Sequence, residues 1–405
     1  MLILITGATG YIASRLIPRL VDRGHRVRAL ARNPRQLDGR AWAASTELIA
    51  GDVMTPSTLR PALEGVHTAY YLIHNMSSGR GYTERELDGA RNFAQAAADA
   101  GVKHIIYLGG LADPEQHIAP HMRSRIETGV VLREGRVPVT EFRAGVIAGS
   151  GSISFEMIRF MTELFPVIPG PTWLKNKSQP IAVQNVIDYL LAALDNWDGH
   201  GQVFEIGGPE VAPYGELMLR YARLRGLKRS LLLLPGIPVW FMSLGIGLMT
   251  PVPRSIAYAL VGGLGADSRV KRHDALRVFP EVKLIDFDSA AKEALTHLHP
   301  DQIERVWEPE ERVRLLKHEG FFILHQRFVE RDGFPLFPTR KNWHIEVNEP
   351  SRILLHRSRP FGEDWLERRV GRDKISTYFF APLGLAGFLY WYLTYPFRAL
   401  AFRKT

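Results

Sequence analysis

The first residues of the chain combine an aliphatic strand, a glycine-rich turn and the start of a helix. Residues 2–6 are predominantly aliphatic, as expected for a strand buried on both faces. Gly7-x-x-Gly10-x-x-Ala13 follows directly, and an amphipathic pattern covers residues 11–23. Gly7 permits a tight turn, Gly10 lets backbone amides approach a ligand, and Ala13 lets the helix lie close to the sheet. The pattern predicts that the amino end of this helix binds the pyrophosphate of a dinucleotide.

The same alternation of strands and helices continues to about residue 150. It predicts a doubly wound parallel sheet covered by helices on both faces, the α/β architecture of a Rossmann domain over residues 1–150. The further predicted strands are His25–Ala31, Glu47–Ala50, Thr68–Ile73, His104–Leu108 and Val139–Arg143, and the helices are Pro56–Leu63, Glu84–Ala100 and His121–Arg133.

The regular alternation of strands and helices ends near residue 150. For residues 151–299 we predict a smaller, mostly helical substrate-binding region. Its predicted helices include Tyr214–Leu224, Val239–Leu248 and Ile256–Val261. Residues 300–405 form a third predicted domain, an α+β segment that ends in an apolar helix. Ser376–Phe397 carries no charge but contains two prolines, so we expect a packed or membrane-interfacial helix there rather than a span.

The end of the second predicted strand indicates which dinucleotide is preferred. NAD-specific sites place a carboxylate there for the ribose hydroxyls, whereas this chain has Arg32 followed by Asn33-Pro34-Arg35. A guanidinium suits a 2′-phosphate, so we expect NADP(H) to be preferred over NAD(H). Asp52 and Val53, after the third strand, are predicted to flank the adenine, with a solvated Asp52 in a turn as the alternative.

Charge and cysteine content limit the partners. The net charge is +9, but the basic residues are dispersed and lack the aromatic interleaving of single-strand binders, so no nucleic acid partner is predicted. The absence of cysteine excludes disulfides and thiolate metal sites and fits a cytoplasmic protein. The spacing of histidines and acidic residues predicts no metal site. Cations that bracket 376–397 allow peripheral contact with the inner face of a membrane, and the oligomeric state stays open.

Several motifs together resemble the atypical short-chain dehydrogenase/reductases, and more narrowly a bacterial subgroup of unknown function with an appended C-terminal domain. They are the glycine loop, Gly51-Asp52-Val53, Ala90-Arg91-Asn92-Phe93-Ala94, residues 101–111, His121-x-Arg123-Ser124-Arg125-x-Glu127, and Gly387-x-Leu389-Tyr390-Trp391-Tyr392 near the C-terminus. The resemblance implies that loops after the fourth to sixth strands reach the nicotinamide. The predicted cofactor contacts are Gly7, Thr9, Gly10, Tyr11, Ile12, Arg32, Asp52, Val53, Leu72, Ile73, His74, Gly109, Ala144 and Val146.

The resemblance also draws attention to the catalytic groups. In catalytic members a Ser, a Tyr and a Lys four residues after the Tyr act on the carbonyl; this chain has glycine at 109 and 110, and His121-x-x-x-Arg125 at the Tyr/Lys spacing. A histidine of ordinary pKa can act as a general acid at neutral pH, whereas arginine stays charged. The alternative is that His121 and Arg125 are a surface or phosphate-contacting pair and the fold is redox-silent. His74 is a second candidate, or a loop histidine that hydrogen-bonds backbone.

We therefore predict an NADP(H)-dependent oxidoreductase that acts on an apolar small molecule. The apolar substrate is a hypothesis drawn from the many large apolar residues of 231–264 and the aromatic C-terminus, which core packing would explain equally well. Two alternatives stay open: a non-catalytic NADPH-binding scaffold or redox sensor, and a carrier that holds an apolar ligand in residues 300–405.

Overall fold

The computed structural model describes residues 1–37, 40–74, 81–113, 115–116, 118–238, 240–244, 254–300, 324–330, 342–370 and 374–403. Its first part alternates strands and helices as the sequence predicts. The strands are β1 (Leu2–Ile5), β2 (Arg26–Ala31), β3 (Glu47–Ala50), β4 (Thr68–Tyr71), β5 (His104–Gly110) and β6 (Val139–Ala144), and the helices are α1 (Tyr11–Asp22), α2 (Pro56–Leu63), α3 (Tyr82–Asp99) and α4 (Pro120–Arg133).

The middle part consists of short strands and helices. They are β7 (Ile147–Ala148), α5 (Ile153–Leu164), β8 (Val167–Pro171), β9 (Lys177–Ser178), β10 (Ile181–Ala182), α6 (Val183–Ala192), β11 (Val203–Ile206), β12 (Ala212–Pro213), α7 (Tyr214–Leu224), β13 (Ser230–Leu234), α8 (Arg254–Gly263), α9 (Asp274–Val278) and α10 (Phe287–Thr296). Residues 240–244 are helical, and the rest of the predicted helix Val239–Leu248 lies outside the described residues.

A seven-stranded parallel sheet forms the centre, with the strand order β11-β6-β5-β4-β1-β2-β3. Alternate residues of β1 enter different cores: Ile3 and Ile5 pack on the face of α1 and α6, and Leu4 on the face of α2 and α3. The prediction of a doubly wound Rossmann sheet is confirmed. The seventh strand, β11, comes from beyond residue 150, and the division at 150 and 299 stays a prediction.

The C-terminal part is an antiparallel sheet with one long helix. Its elements are β14 (Leu324–Glu330), β15 (His344–Glu349), β16 (Arg352–Arg359), β17 (Gly362–Val370), β18 (Lys374–Pro382) and α11 (Gly384–Arg403), and the strand order is β14-β18-β17-β16-β15. The predicted α+β segment that ends in an apolar helix is confirmed.

The prediction of one helix over Ser376–Phe397 is wrong at its start. Residues 376–382 belong to β18, which pairs with β14 and β17. Tyr378 and Phe380 pack in the core that contains Trp391 of α11, and Phe379 and Ala381 pack in a separate core with Trp365. A strand buried on both faces gives a continuous apolar run, which periodicity cannot distinguish from a buried helix. Pro396 lies inside α11 and does not end it. Within the described ranges, no helix combines the length and apolarity needed to cross a membrane.

Helix α5 connects the middle and C-terminal parts. Nine of its twelve residues are buried, and these include Glu156, Arg159 and Glu163. Glu156 Oε1 accepts hydrogen bonds from the Arg159 guanidinium and from the Gly151 amide. Phe160 packs against Phe388 of α11 at a centroid distance of 5.8 Å.

Glu163 makes the polar contacts at the same junction. One of its carboxylate oxygens accepts hydrogen bonds from the Tyr221 hydroxyl at 2.9 Å and from Arg225 Nε at 2.6 Å. The other accepts the amide of Gly384, the first residue of α11, at 2.6 Å. A buried carboxylate is tolerated when charge-assisted hydrogen bonds replace its hydration, so this network fixes α11 against α5.

His104 is the first residue of β5 and is buried at the amino edge of the central sheet. The Thr140 hydroxyl donates to the Gly199 carbonyl, so it accepts the Nε2–H of His104 at 2.8 Å. The ring stacks on His200 at a centroid distance of 3.7 Å, and its buried Nδ1 has no hydrogen-bond partner in the part of the chain that the structure describes. Burial, with smaller contributions from His200 and His67, lowers the pKa of His104 to about 3.

We expect this histidine to weaken the fold in mild acid. Its pKa in the folded protein lies below the usual histidine value of 6.5, so the unfolded chain binds the proton more readily between pH 6.5 and 3. Stability is therefore complete above pH 6.5 and falls as the pH drops, by about 2 kcal/mol at pH 5 from this residue. Urea unfolding at pH 7.5 and 5.0 should show a smaller acid loss in His104→Gln than in the wild type or in a control variant at the exposed His273. Equal losses in all three proteins would contradict the prediction.

Candidate dinucleotide site and reaction cleft

The predicted cofactor residues lie at one edge of the central sheet. Parallel strands end at the same edge, so the loops after β1, β2, β3, β4, β5 and β6 meet there. These loops or strand ends contain Gly7 to Ile12, Arg32, Asp52 and Val53, Leu72 to His74, Gly109, and Ala144 with Val146. The sheet order reverses between β1 and β4, so the glycine loop lies at the topological switch point.

The glycine loop fits a bound phosphate because its backbone is closely packed and carries no side chains there. Gly7 has φ +64°, and a Cβ at this position would lie 2.6 Å from the Leu72 carbonyl oxygen at the end of β4. The Gly10 amide donates to the Gly7 carbonyl at 2.8 Å and closes the turn. Thr6 anchors it: its hydroxyl donates to the Tyr70 carbonyl and accepts the Leu72 amide at 3.0 Å.

Among the described residues, no side-chain cap and no acidic residue of the first turn would compete with an anion at the amino end of α1. Its N-cap is Gly10, no side chain caps it, and the first turn contains no acidic residue. Amides at a helix amino end carry partial positive charge and point outward. The glycine cradle and the uncapped helix therefore fit the pyrophosphate of a nicotinamide dinucleotide, with the backbone of Thr9, Gly10, Tyr11 and Ile12 in the position to hold it.

Tyr11 uses its side chain for a second purpose. Its ring packs against the loop at 149–151, where a Cβ on Gly149 would lie 2.7 Å from the Tyr11 hydroxyl oxygen. Arg15 stacks on the same ring at 4.1 Å and donates to the Ser150 carbonyl at 2.7 Å. The loop before α5 is thus held against the first turn of α1.

The residues predicted for the adenosine half are near the surface. Arg32 is exposed at the end of β2, and the Asn33 side chain accepts the Arg35 amide in the turn that follows. Asp52 is half-buried, and its carboxylate accepts the Met54 amide at 2.9 Å. Val53 is buried, and its carbonyl accepts the Asn92 side-chain amide at 3.0 Å. The roles of Arg32, Asp52 and Val53 stay predictions.

An open cleft of about 770 Å³ lies beyond the ends of β5 and β6. The two residues of the predicted catalytic pair, His121 and Arg125 on α4, line it together with the predicted nicotinamide-side residues Ala144 and Val146. The opposite wall comes from the middle part of the chain. Its polar residues include Ser154, Asn176, Lys177, Tyr214, Asp267 and Ser268.

The imidazole of His121 is neutral at physiological pH. Its exposed fraction is 5%, and burial together with the charge of Arg125 lowers its pKa to about 4. The expectation of an ordinary histidine pKa is therefore wrong, because the sequence does not reveal how strongly this helix position is desolvated. His121 is buried and is not a surface residue, and the alternative that the pair contacts a phosphate in a redox-silent fold stays open. A neutral imidazole can still donate its N–H to a substrate oxygen.

Glycine replaces serine at the end of β5 for a steric reason. A Cβ on Gly110 would lie 2.7 Å from the Met122 methyl carbon and 3.0 Å from Arg125 Cδ, so α4 packs directly on the strand end. A Cβ on Gly109 would lie 3.1 Å from the Tyr107 ring. The Tyr107 hydroxyl donates to the Arg125 carbonyl at 2.9 Å and fixes this turn of α4 beside the cleft.

His74 follows β4 and hydrogen-bonds the backbone of Leu108. Burial and the charge of Arg125 lower its pKa well below the usual histidine range. These contacts favour the structural alternative for His74 that the sequence left open.

Sequence reasoning missed the residues on the opposite wall of the cleft. Ser268 lies against Gly145, where a Cβ would be 2.6 Å from its hydroxyl oxygen, and it donates to the Leu111 carbonyl at 3.0 Å. Asn176 donates to the Leu264 carbonyl at 2.9 Å. These contacts join segments about 90 to 160 positions apart, and no local motif indicates such pairing.

The geometry agrees with a match to known proteins. Residues 7–128 match the family model described as NAD(P)H-binding. The chain therefore contains an NAD(P)-binding Rossmann domain, and its fold has neighbours among the atypical short-chain dehydrogenase/reductases, as the motifs predicted.

Two solved reductases illustrate the shared fold. Triphenylmethane reductase from Citrobacter sp. in complex with NADP(H) has a TM-score of 0.59 and 20% identity, covering 72% of this chain and 99% of its own. The NADPH-dependent quinone oxidoreductase from Escherichia coli, complexed with NADPH, has a TM-score of 0.60 and 20% identity with the same coverage.

Two curated relatives show similarity in sequence. The photosystem II assembly factor Ycf39 of Cyanophora paradoxa is 26% identical over 255 residues, 60% of this chain and 74% of the relative. The (4-alkanoyl-5-oxo-2,5-dihydrofuran-3-yl)methyl phosphate reductase of Streptomyces griseus is 28% identical over 272 residues, 64% of this chain and 85% of the relative.

Gly7→Ala tests the glycine cradle. We expect it to lower affinity for NADPH by at least about tenfold, because the new Cβ must displace the Leu72 backbone and open the turn. Gly24→Ala is the matched control: Gly24 also has positive φ (+78°), but no atom lies within 4 Å of a Cβ there. The control should cost about 1–2 kcal/mol of stability from backbone strain alone and leave affinity unchanged. Fluorescence titration with NADPH measures the affinity of both variants. Equal affinities for Gly7→Ala and Gly24→Ala would contradict the prediction.

Proposed function

We propose that this chain is an NADP(H)-dependent oxidoreductase that reduces a carbonyl or enone group of an apolar substrate in the cleft. The observation that carries the proposal is the position of His121 and Arg125. They share the cleft with Ala144 and Val146, at the sheet edge where the glycine loop fits the cofactor.

The residues of the cleft suit a developing negative charge on oxygen. When bound, the nicotinamide would supply the hydride that forms the new C–H bond. The neutral His121 can donate its N–H to the carbonyl oxygen. Burial lowers the pKa of Arg125, but the ordinary arginine pKa is so high that the guanidinium stays positively charged beside it. Both groups stabilise charge that develops on that oxygen as the C=O π bond breaks. The cleft is open, so water can provide the proton that completes the alcohol.

Removal of His121 should affect turnover and not cofactor binding. We expect His121→Ala to lower kcat/KM for NADPH oxidation with a carbonyl and enone panel by about 10² to 10³, the usual cost of one oxyanion donor. His121→Gln keeps an N–H donor and should recover part of the loss, while the NADPH dissociation constant stays the same in both variants.

The pH profile provides a second readout of the same residue. Since the pKa of His121 is lowered to about 4, wild-type kcat/KM should show no inflection from this group near pH 6.5. An inflection there that disappears in His121→Gln would refute a neutral imidazole as the working form.

The preference for NADP(H) is supported by charge at the end of β2. Arg32 and Arg35 are both exposed on either side of Asn33-Pro34, where a site for unphosphorylated ribose would need an acceptor. The two solved reductases of similar fold are complexes with NADP(H) and NADPH.

Arg32→Ala tests this preference. We expect affinity for NADPH to fall about 10- to 100-fold, the worth of a hydrogen-bonded charge pair, with affinity for NADH unchanged. Arg26→Ala is the matched control, since Arg26 is an exposed arginine at the opposite end of the same strand. Isothermal titration with both dinucleotides decides the question, and a parallel loss of affinity for NADH would contradict the specific role of Arg32.

The apolar substrate is supported by the apolar part of the cleft wall, which includes Leu111, Ile118, Met122 and Leu264. The relative from Streptomyces griseus is named a reductase of an alkanoyl-bearing compound, which agrees with an apolar substrate portion.

A second candidate function is a non-catalytic NADPH-binding scaffold. The lowered pKa of His121 favours it, because the side chain at the tyrosine position holds no transferable proton at neutral pH. A scaffold would bind NADPH through the glycine loop and oxidise it with no member of the substrate panel. The same panel therefore separates the two functions.

A further inference from the structure

Helix α11 is apolar on the side that faces solvent as well as on the side that is buried. Phe388 packs on Phe160 of α5, and Trp391 stacks on Phe380 of β18, so these residues mark the buried side. The exposed residues recur at helical spacing on the opposite side. We call them the outer face of α11, and they are Ala386, Leu389, Leu393, Pro396 and Phe397.

The outer face is strongly exposed. The exposed fraction is 50% for Leu389, 68% for Leu393 and 71% for Phe397, and every exposed residue of 384–397 is apolar. A surface helix ordinarily presents a polar side to water, whereas a helix that is apolar all round is ordinarily enclosed by protein or lipid. Contiguous exposed apolar surface marks an interaction site. The outer face is therefore suited to an apolar partner.

The charges near α11 are positive. Residues 374–405 contain no acidic residue, and the cations that follow the outer face are Arg398, Arg403 and Lys404. Glu163 and Asp364 accept hydrogen bonds from this segment, but both are fully buried and paired with arginines. These two carboxylates therefore add no negative charge to the surface.

A second segment of the same character reaches the amino end of α11. Residues 217–266 also contain no acidic residue and carry six cations. Arg225 donates to the Pro382 carbonyl at 3.1 Å, and a Cβ on Gly384 would lie 3.3 Å from a guanidinium nitrogen of Arg229. Among the described residues, the exposed large apolar side chains of this segment are Leu232, Leu234, Trp240, Phe241 and Tyr258. Exposed apolar groups and positive charge thus occur together on two segments that are in contact.

An anionic bilayer complements this surface better than a second copy of the chain does. Apolar side chains of a surface-bound helix enter the boundary between headgroups and acyl chains, and nearby cations are attracted to anionic headgroups. Tryptophan and tyrosine, present here as Trp240 and Tyr258, are enriched at that depth. Two copies joined symmetrically through the outer face would bring the same acid-free, cationic segments together, and like charges repel.

We propose that the outer face of α11 binds peripherally to a bilayer that contains anionic lipid, with Leu389, Leu393 and Phe397 at the boundary of the acyl chains. The proposal narrows the sequence-based expectation of peripheral contact through 376–397 to one face of the helix, since residues 376–382 form a strand. It goes beyond the proposed reductase function and does not depend on it.

The absence of cysteine from the chain allows a test at a single labelled site. Leu393→Cys carrying the environment-sensitive fluorophore NBD should brighten and shift to the blue when the whole chain, with NADPH, meets vesicles of phosphatidylcholine with about one third phosphatidylglycerol. Leu276→Cys is the matched control, because Leu276 is an exposed leucine of another helix, α9, and its label should not respond. Equal responses of the two labels, or no response at Leu393→Cys, would overturn the proposal.

Vesicle flotation measures how much the outer face contributes to binding. Leu393→Gln should lower the partition coefficient of the wild type about tenfold, because an apolar side chain no longer leaves water. Leu276→Gln should partition like the wild type. Added salt should weaken the binding, since it screens the attraction to anionic lipid. Equal partition into vesicles of phosphatidylcholine alone would overturn the role of anionic lipid.

Light scattering without lipid tests the competing occupant, a second copy of the chain. We expect the same oligomeric state for the wild type and Leu393→Gln, with unchanged NADPH affinity as the control for folding. An oligomer that Leu393→Gln dissociates and Leu276→Gln does not would show that a second copy covers the outer face. That result would overturn the membrane proposal.

Discussion

The contact between the glycine loop and the end of β4 determines the geometry of the whole cofactor edge. Gly7 can approach the Leu72 backbone because it has no side chain, and Thr6 bridges the same strand with two hydrogen bonds. This contact sets the direction in which α1 leaves the sheet and therefore the direction of its free amides. The ring of Tyr11 then fixes the loop at 149–151 against the same helix. A single tight turn thus organises both the pyrophosphate site and the entry to the middle part of the chain.

Local signals in the sequence were sufficient for the first half of the fold and for the general place of the site. Strand Glu47–Ala50 and helix Pro56–Leu63 have the predicted bounds, because Gly51 follows the strand and Pro56 begins the helix. The His121 and Arg125 pair could be placed at the cleft because an i, i+4 spacing brings two side chains to one helix face.

Tertiary environment explains what the sequence did not reveal. The pKa of His121 depends on how α8 covers it, which no spacing within α4 indicates. Helix α5 was not predicted, although Glu156, Arg159 and Glu163 recur at a helical spacing; the structure buries all three, so this polar stripe does not face solvent. Residues 376–382 were predicted as part of a helix and form a strand instead. A strand that is buried on both faces lacks the alternation of apolar and polar residues that identifies a strand.

Glu163 makes α5 a link between the middle part and the C-terminal part of the chain. This helix supplies Met157 and Met161 to the hydrophobic core of the middle part, and on another side its Glu163 carboxylate accepts the first amide of α11. The carboxylate is fully buried; without the C-terminal part it would keep its contacts with Tyr221 and Arg225 and lose only the hydrogen bond from the Gly384 amide. Removal of the C-terminal part would therefore uncover the side of α5 that carries Phe160 and one carboxylate oxygen of Glu163.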